Sequence, residues 1–323
     1  MEYRELGKTG LQVSRLGFGS LTVSPLQADL PIEAGAEIIA YAIRQGIHLI
    51  DTAQYYRNYT VLRRALALAG HPDHVVLASK TYAWNRELAE QAVEEARHAL
   101  DRDVIDLFML HEQESMDTLR GHRDALDYLY TCKEKGILRA VGASTHRIAA
   151  VDAARRVMHE TGFGLDVIFA LCNRTGIGIG DGSPQQMLDA VGRAKQDGLG
   201  TMAMKVLGGG TLHGSAESSL LFMLERPEFD VLVIGMQSCE EVDANIAFLE
   251  KHAFPAACAD ALAARKRRLF IEPDECVGCG VCVRRCGQGA LTLRDGHAEV
   301  RSDACVLCGY CAGACPAFAI RIL

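Results

Sequence analysis

Eight of the twelve cysteines in this 323-residue chain lie between positions 276 and 323, and their spacing is regular. The pattern C-x2-C-x2-C-x3-C occurs twice there, which is the spacing of thiolates that ligate cubane iron–sulfur clusters. Three thiolates on a tight loop can bind three irons of one cubane, and the fourth can reach another. The two runs therefore predict two [4Fe–4S] clusters. The first run is Cys276, Cys279, Cys282 and Cys286, and the second is Cys305, Cys308, Cys311 and Cys315.

The double run resembles the bacterial two-cluster ferredoxins, in which the fourth cysteine of each run ligates the cluster of the other run. A disulfide framework and a zinc site both fit the cysteines less well. Nothing in the sequence marks the chain as secreted, as a disulfide framework would require, and zinc sites use paired C-x2-C spacings instead of runs of four. The resemblance implies that Cys276, Cys279, Cys282 and Cys315 bind one cluster, and that Cys305, Cys308, Cys311 and Cys286 bind the other.

Four residues near the ends of apolar runs form a candidate acid system. Asp51 ends one run, Tyr56 follows five residues later, and Lys80 and His111 end the next two runs. A carbonyl that accepts a hydride develops alkoxide charge and needs a proton, and a tyrosine with its usual pKa of about 10 is a weak acid at pH 7. A nearby ammonium favours the phenolate and lowers that pKa. We therefore expect Lys80 to acidify Tyr56, Asp51 to hold Lys80, and His111 to orient the substrate oxygen.

Strand and helix patterns alternate eight times before the cysteine runs. Such alternation predicts a parallel sheet with helical crossovers, and eight units can close into a (β/α)8 barrel with its chemistry at the carboxyl ends of the strands. A hairpin around Lys8-Thr9-Gly10 is expected to cap the bottom of the barrel. The strand candidates are Val13–Phe18, Ile47–Ile50, Val75–Ala78, Ile105–Leu110, Leu138–Val141, Val167–Leu171, Thr201–Val206 and Val231–Ile234. The helical patterns are Glu33–Gln45, Thr60–Ala69, Arg86–Leu100, Thr118–Lys135, Arg147–Glu160, Pro184–Asp197, Ala216–Glu225 and Glu240–His252.

The chain is expected to divide into three parts: a barrel at 1–252, a linker helix at 253–270 and a small α+β two-cluster domain at 271–323. The linker pattern Pro255–Leu269 ends in a basic run, Arg265–Arg268. The run is most simply a solvated helix end. A second interpretation makes it a docking strip for an acidic redox partner protein.

Composition limits the kinds of protein that this chain can be. The net charge of −7 argues against a nucleic-acid-binding protein. No N-terminal apolar segment has the character of a signal or membrane span, so no membrane association is expected. Labile clusters and unpaired cysteines favour a reducing cytoplasm. The scattered cysteines, expected to be buried small apolar side chains, are Cys132, Cys172, Cys239 and Cys258.

Several motifs in residues 1–252 resemble the aldo-keto reductase family. The stretch HLIDTAQYY is similar to its D-[TS]-A-x-x-Y signature, with Asp51 and Tyr56 at the defining positions. LASK and FMLHE supply the family's lysine and histidine, VGAST resembles G-V-S-N, and LCN resembles Y-N. The resemblance implies a (β/α)8 barrel that binds NAD(P)H in an extended form without a Rossmann unit.

The resemblance also implies a set of nicotinamide contacts. Thr145 stands where the family usually has asparagine, and Glu241 stands where it often has an arginine for the 2′-phosphate. A carboxylate can accept a hydrogen bond from a free ribose 2′-hydroxyl, so Glu241 favours NADH or at least weak discrimination. Arg265–Arg268 would instead accommodate the 2′-phosphate of NADPH if the linker helix folds back over the cofactor. The cofactor-binding candidates are Ser144, Asn173, Val206, Leu207, Gly208, Gly210, Gly235, Ser238, Glu241 and Asn245.

These features predict an oxidoreductase that interconverts a small-molecule carbonyl and an alcohol with NAD(P)H. Tyr82 and Trp84 suit an apolar or aryl substrate, or simple packing. Hydride transfer moves two electrons together, whereas each cluster moves one. Direct coupling therefore needs a cofactor such as a flavin, which accepts two electrons and passes them on singly. The sequence shows no recognisable flavin signature. The alternative function is therefore electron transfer, coupling a flavin, a nicotinamide or a partner protein to low-potential clusters. A third interpretation gives the clusters a structural role only.

Overall fold

Eight parallel strands close into a barrel in the computed structural model of the chain. Each strand pairs with the next along the chain, and the eighth pairs with the first, which confirms the predicted (β/α)8 fold. The structure describes residues 1–161, 164–255, 267–305, 307 and 309–323. The barrel strands are β3 (Leu16–Gly19), β4 (Leu49–Asp51), β5 (Val76–Thr81), β6 (Ile105–Leu110), β7 (Leu138–Thr145), β8 (Val167–Leu171), β9 (Gly200–Met204) and β10 (Val231–Ile234).

A hairpin caps the amino end of the barrel, as predicted. Strands β1 (Tyr3–Glu5) and β2 (Gln12–Ser14) pair antiparallel. Leu6, Leu11 and Val13 are fully buried there and join the apolar cluster of side chains that fills the barrel interior. The hairpin therefore supplies the bottom layer of the core.

The predicted first barrel strand Val13–Phe18 was wrong, because it spans two separate strands. Its first part lies in the hairpin and its second part is β3. The chain changes direction at Arg15, whose buried guanidinium donates to the carbonyl of Phe229 at 2.6 Å. The apolar pattern of residues 13–18 did not indicate that the run is divided into two strands at Arg15.

Helices cover the outside of the barrel and follow the predicted pattern closely. In Arg86–Leu100 the residues buried against the sheet recur at helical spacing, and Asn85 caps the first turn by accepting from the amide of Leu88 at 2.9 Å. The helices are α1 (Ile32–Arg44), α2 (Tyr59–Leu68), α3 (Arg86–Leu100), α4 (Met116–Gly121), α5 (Arg123–Glu134), α6 (Ile148–Thr161), α7 (Pro184–Gln196), α8 (Ala216–Leu224) and α9 (Cys239–Lys251).

The predicted helix Thr118–Lys135 is two helices, α4 and α5. The helices meet at His122, whose backbone is non-helical and whose ring nitrogen Nδ1 bonds the carbonyl of Thr118 at 2.7 Å. Ser115 begins α4 with a capping box. Both caps are local polar features that an apolar periodicity cannot detect.

The cysteine-rich segment forms a small domain of its own, which we call the cluster module (residues 268–323). It contains two antiparallel pairs, β11 (Leu269–Ile271) with β14 (Ile320–Ile322), and β12 (Leu291–Arg294) with β13 (His297–Val300). Two short helices, α10 (Val281–Arg285) and α11 (Tyr310–Gly313), lie between these strands along the chain.

The segment that joins barrel and module was predicted as the helix Pro255–Leu269. Residues 256–266 lie outside the described residues, and so do Cys258, Arg265 and Lys266. Leu269 belongs to strand β11, so the expected helix end at Leu269 was wrong. Among the described residues, no helix has both the length and the apolar character needed to cross a membrane.

The cluster module packs directly on the loops at the carboxyl ends of the barrel strands. Gly210 has φ +86°, and a β-carbon added there would lie 1.9 Å from the carbonyl oxygen of Ile322. The hydroxyl of Tyr55 donates to the Oδ2 atom of Asp274 at 2.6 Å on another side of the contact. Glycine at 210 is therefore required for the last strand of the chain to reach the barrel.

Replacing Gly210 by alanine is expected to weaken the docking of the cluster module. The new methyl group would overlap Ile322, and the positive φ adds strain of about 1–3 kcal/mol. We expect a lower unfolding midpoint and faster hydrogen exchange at residues 205–212 in anaerobically prepared protein. Gly214→Ala is the matched control, because an added β-carbon there meets nothing within 4 Å. Equal behaviour of the two variants would contradict this account.

Candidate functional site

A buried ion pair lies where strands β4 and β5 end. The Nζ atom of Lys80 donates to the Oδ1 atom of Asp51 at 2.6 Å and to the carbonyl of Thr52 at 2.6 Å. Asp51 pairs in register with Ala78, two residues before Lys80, so the parallel strands bring the two side chains together. Burial lowers the pKa of Lys80, and the Asp51 carboxylate opposes that shift. The expected pairing of Asp51 with Lys80 is thus present.

Tyr56 lies beside this pair, at the end of the single 3₁₀ turn Gln54–Tyr56. The Lys80 ammonium lies 4.9 Å from the centre of the Tyr56 ring, so it faces the ring while its hydrogen bonds go to Asp51 and Thr52. Burial and the charge of Asp51 raise the pKa of Tyr56 well above its usual value, and Arg321 of the cluster module lowers it. The phenol is therefore held in its protonated form. The expected lowering of the Tyr56 pKa by Lys80 was wrong, and the cation that opposes the upward shift is Arg321 of the cluster module.

His111 lies behind Tyr56, with the two ring centres 5.8 Å apart. Tyr82 stacks on His111 at 4.4 Å and donates its hydroxyl to the Oε2 atom of Glu112 at 2.7 Å. Burial, followed by the charge of Lys80, lowers the pKa of His111 to about 3. The imidazole is therefore neutral at ordinary pH. None of the described residues bonds its buried Nδ1 atom.

A cleft of about 490 Å³ runs from this group across the top of the barrel. Asp51 and Tyr56 line one end of it, and residues at the start of α9 line the other. Six of the cofactor-binding candidates line the cleft, which has the size of a small-molecule or cofactor site. These six are Val206, Leu207, Gly210, Gly235, Glu241 and Asn245.

The other four cofactor candidates, among them Gly208, lie outside the cleft lining, and three of them bond neighbouring loops. Ser144 accepts from the amide of Glu112 at 2.9 Å, and Ser238 caps α9 by accepting from the amide of Glu241 at 3.3 Å. Asn173 is fully buried and bonds both the amide and the carbonyl of Ile177. These side chains hold the shape of the loops around the cleft.

The cluster module supplies part of the cleft wall, which sequence reasoning missed. Arg321, Ile322 and Leu323 line the cleft together with Tyr56. Nothing in the local sequence of the last strand distinguishes these residues from ordinary strand residues. The run Gly208-Gly209-Gly210 is the one sequence signal for this contact, because glycine often marks a place where another backbone approaches closely.

A second cation, Lys205, also lies in the cleft and was not predicted. It follows β9 with a left-handed backbone, φ 58°, and its Nζ atom lies 4.6 Å from the ring centre of Phe318. Burial, followed by the charge of Arg321, lowers the pKa of Lys205 to about 7. Burial thus favours the neutral amine, and the charged form of Lys205 destabilises the folded state unless an anion pairs with it.

The described cysteines gather in two groups, as the ferredoxin resemblance implies. Cys315 lines one pocket with the first three cysteines of the first run, and Cys286 lines another with Cys305 and Cys311. Cys308 lies outside the described residues. Backbone amides of Ala298 and Ala319 donate to the sulfurs of Cys276 and Cys315 at 3.3 and 3.4 Å. Such donors stabilise thiolate charge.

The two groups fit clusters better than single ions. Within the part of the chain that the structure describes, no three ligating side chains converge as they would on one metal ion. The sulfurs instead surround small apolar pockets, which suits ligands spread over the corners of a cubane.

Comparison with known proteins matches both domains. Residues 15–220 match the sequence model of the Aldo/keto reductase family, and residues 268–316 match a 4Fe-4S dicluster domain. The chain is 32% identical over 171 residues to aldo-keto reductase YhdN of Bacillus subtilis, covering 49% of this chain and 51% of that protein. It is 23% identical over 290 residues to L-galactose dehydrogenase of Arabidopsis thaliana, covering 76% and 88% of the two chains. The matched part thus spans about half the length of YhdN.

Solved structures show the same barrel. A putative aldo-keto reductase from Pseudomonas aeruginosa superposes with a TM-score of 0.64 at 23% identity, covering 77% of this chain and 94% of that one. The holo form of an aldo-keto reductase from Bacillus halodurans also gives 0.64, at 19% identity, covering 81% and 95%. At these identities the likeness establishes the fold.

Protein made anaerobically is expected to contain about eight irons and eight acid-labile sulfides per chain. Cys279→Ser removes a ligand from the first group and should lower the iron content toward about four. Cys239→Ser is the control, because Cys239 begins α9 in the barrel, and this variant should retain all its iron. About four irons in the unaltered chain would refute the two-cluster prediction.

Replacing Lys205 by methionine is expected to stabilise the fold in a pH-dependent way. Below pH 7 Lys205 is charged both folded and unfolded, so the full cost of its burial is present. The folded pKa is about 7 and the ordinary value is 10.5, so this cost falls as the pH rises between them. The gain in unfolding free energy from Lys205→Met should be largest near pH 6.5 and smaller at pH 9, measured by anaerobic urea unfolding. A gain that is constant over this range would contradict the assignment.

Proposed function

Since the chain belongs to the Aldo/keto reductase family and carries a 4Fe-4S dicluster domain, we propose that it is an NAD(P)H-dependent carbonyl reductase or alcohol dehydrogenase. In this proposal Tyr56 is the general acid and base, and the substrate is a small carbonyl compound or alcohol. The barrel corresponds to residues 1–252, and the iron–sulfur module follows the linker.

One observation carries the proposal: the position of Tyr56 at the end of the cleft, beside the buried Asp51–Lys80 pair. Tyr56 has a protonated phenol facing a space large enough for a substrate. The cleft continues to Glu241 and Asn245, at the start of α9. This extended shape fits a dinucleotide with its reactive ring at Tyr56 and its adenosine end at α9.

The chain's own residues provide the proton and the orientation. A bound reduced nicotinamide supplies the hydride. Tyr56 then donates its phenolic proton to the oxygen that develops negative charge, and Asp51 fixes the Lys80 ammonium beside the Tyr56 ring. Neutral His111 can donate a hydrogen bond to the same oxygen, as a neutral imidazole does in other enzymes. Stacking by Tyr82 fixes the plane of His111.

Glu241 supports a preference for NADH. Its Oε2 atom accepts from the amide of Gln237 at 2.7 Å, so the carboxylate is oriented within the cleft lining. A fixed carboxylate suits a ribose 2′-hydroxyl and repels a 2′-phosphate. The cluster ligands in this proposal are the two crossed sets of four cysteines.

Tyr56→Phe is expected to lower kcat for carbonyl reduction by at least about a hundredfold, because the proton donor is lost in the transition state. The dissociation constant for the nicotinamide should change little, since the hydroxyl acts only on the reacting oxygen. Tyr59→Phe is the matched control, because this buried tyrosine bonds Ser79 away from the cleft. Turnover of Tyr56→Phe within tenfold of the unaltered enzyme would place the acid elsewhere.

A second candidate function, electron transfer, is supported by the position of β14. Ile320 lines the pocket of the first cysteine group, and Arg321 and Ile322 line the cleft. One strand therefore separates the cluster site from the cofactor site. A flavin in the cleft would allow single electrons to pass to the clusters or to a redox partner. Flavin released on denaturation of the purified protein favours this function, and its absence favours the carbonyl reductase.

A further inference from the structure

Two cations from different domains meet in the cleft. Lys205 comes from the loop after β9 and Arg321 from the last strand of the cluster module, and both line the cleft that Tyr56 lines. The ring of Phe318 lies against both, 4.6 Å from the Lys205 nitrogen and 5.2 Å from the Arg321 guanidinium carbon. The aromatic ring thus holds two positive groups near each other.

The two cations differ in how they are balanced. The Nη2 atom of Arg321 bonds both carboxylate oxygens of Glu275, at 2.7 and 2.6 Å, so its charge is paired and its position fixed. Among the described residues, no carboxylate lies within 4.0 Å of the Lys205 ammonium. Glu112, a carboxylate on the barrel side that raises the pKa of Lys205, accepts a hydrogen bond from the hydroxyl of Tyr82.

A half-buried ammonium without an anionic partner is unfavourable unless a ligand supplies the partner. His111 and His146 are held neutral by burial, which lowers the pKa of both. Glu275, Glu112 and Glu272 raise the pKa of Lys205, but none of them forms an ion pair with it within 4.0 Å. Among the described residues, Lys205 is therefore left without a direct ion pair on the side of the cleft where Tyr56 lies.

We propose that Lys205 and Arg321 form the binding site for a carboxylate group of the substrate, so that the enzyme acts on carbonyl compounds that carry an acid group. This inference rests on the proposed carbonyl chemistry at Tyr56. Lys205 supplies the main charge-assisted hydrogen bond, and Arg321 supplies a fixed positive field from the module side. The ring of Phe169, which lines the same cleft, fits the apolar body of such a substrate. The site exists only when the cluster module is docked.

The test compares 4-carboxybenzaldehyde with its neutral methyl ester, methyl 4-formylbenzoate, using the anaerobic holoenzyme and NADH. We expect a lower KM for the acid than for the ester. Lys205→Gln should raise the KM for the acid about 10- to 100-fold and change that for the ester less than about threefold. Lys205→Arg should restore most of the preference, because it returns the charge. Lys135→Gln, at an exposed lysine after α5, is the control and should change neither KM.

The same oxyanion site could instead take the pyrophosphate of the dinucleotide. In that case Lys205→Gln would weaken NADH binding and raise both aldehyde KM values by the same factor, which would overturn the inference. If the unaltered enzyme turns over neither aldehyde, the proposed function fails. Calorimetric binding of terephthalate, which carries no aldehyde, then decides the inference separately: binding lost in Lys205→Gln supports it, and binding equal in both proteins refutes it.

Discussion

The contact between strand β14 and the glycine turn after β9 unites two domains into one site. The carbonyl of Ile322 lies so close to Gly210 that no side chain fits between them. Because the backbones approach this closely, Arg321 and Leu323 reach the cleft that Tyr56 lines. A (β/α)8 barrel is complete as a fold without a cluster module. Only the cleft, and not the barrel fold, therefore depends on the module. The module is thus part of the cleft as well as the holder of the clusters.

The charges around the cleft fall into two classes with different consequences. Lys80 is buried with a matched carboxylate and a carbonyl acceptor, and removing either member of such a pair typically costs about 3–5 kcal/mol. Lys205 lies against an aromatic face and near the like charge of Arg321, and no carboxylate of the described residues forms an ion pair with it within 4.0 Å. The first class gives a rigid, charge-balanced base beside Tyr56. The second class leaves a favourable interaction unmade in the free protein, a common feature of binding sites that are built before they are filled.

Much of the fold was predictable because strong local signals define it. Strands Ile105–Leu110, Val167–Leu171 and Val231–Ile234 have the predicted bounds, since each is an apolar run ended by polar or turn residues. The cysteine groups followed from spacing. The expected acidification of Tyr56 by Lys80 was wrong, since burial raises the pKa of Tyr56 and the hydrogen bonds of Lys80 go to Asp51 and Thr52. Lys205, Glu112 and Arg321 were missed because they converge from distant segments, and no spacing in the chain encodes that convergence.

The short distance in sequence between Cys315 and Phe318 links cluster binding in the module to completion of the cleft wall. Cluster binding contributes directly to the folding free energy of a small module. Cys315 lies three residues before Phe318, whose ring packs against Lys205, and Ala319 donates its amide to the Cys315 sulfur. If clusters fold the module, delivery of iron and sulfide also completes the last wall of the cleft. Oxidative loss of a cluster is then expected to alter the cleft as well as the module.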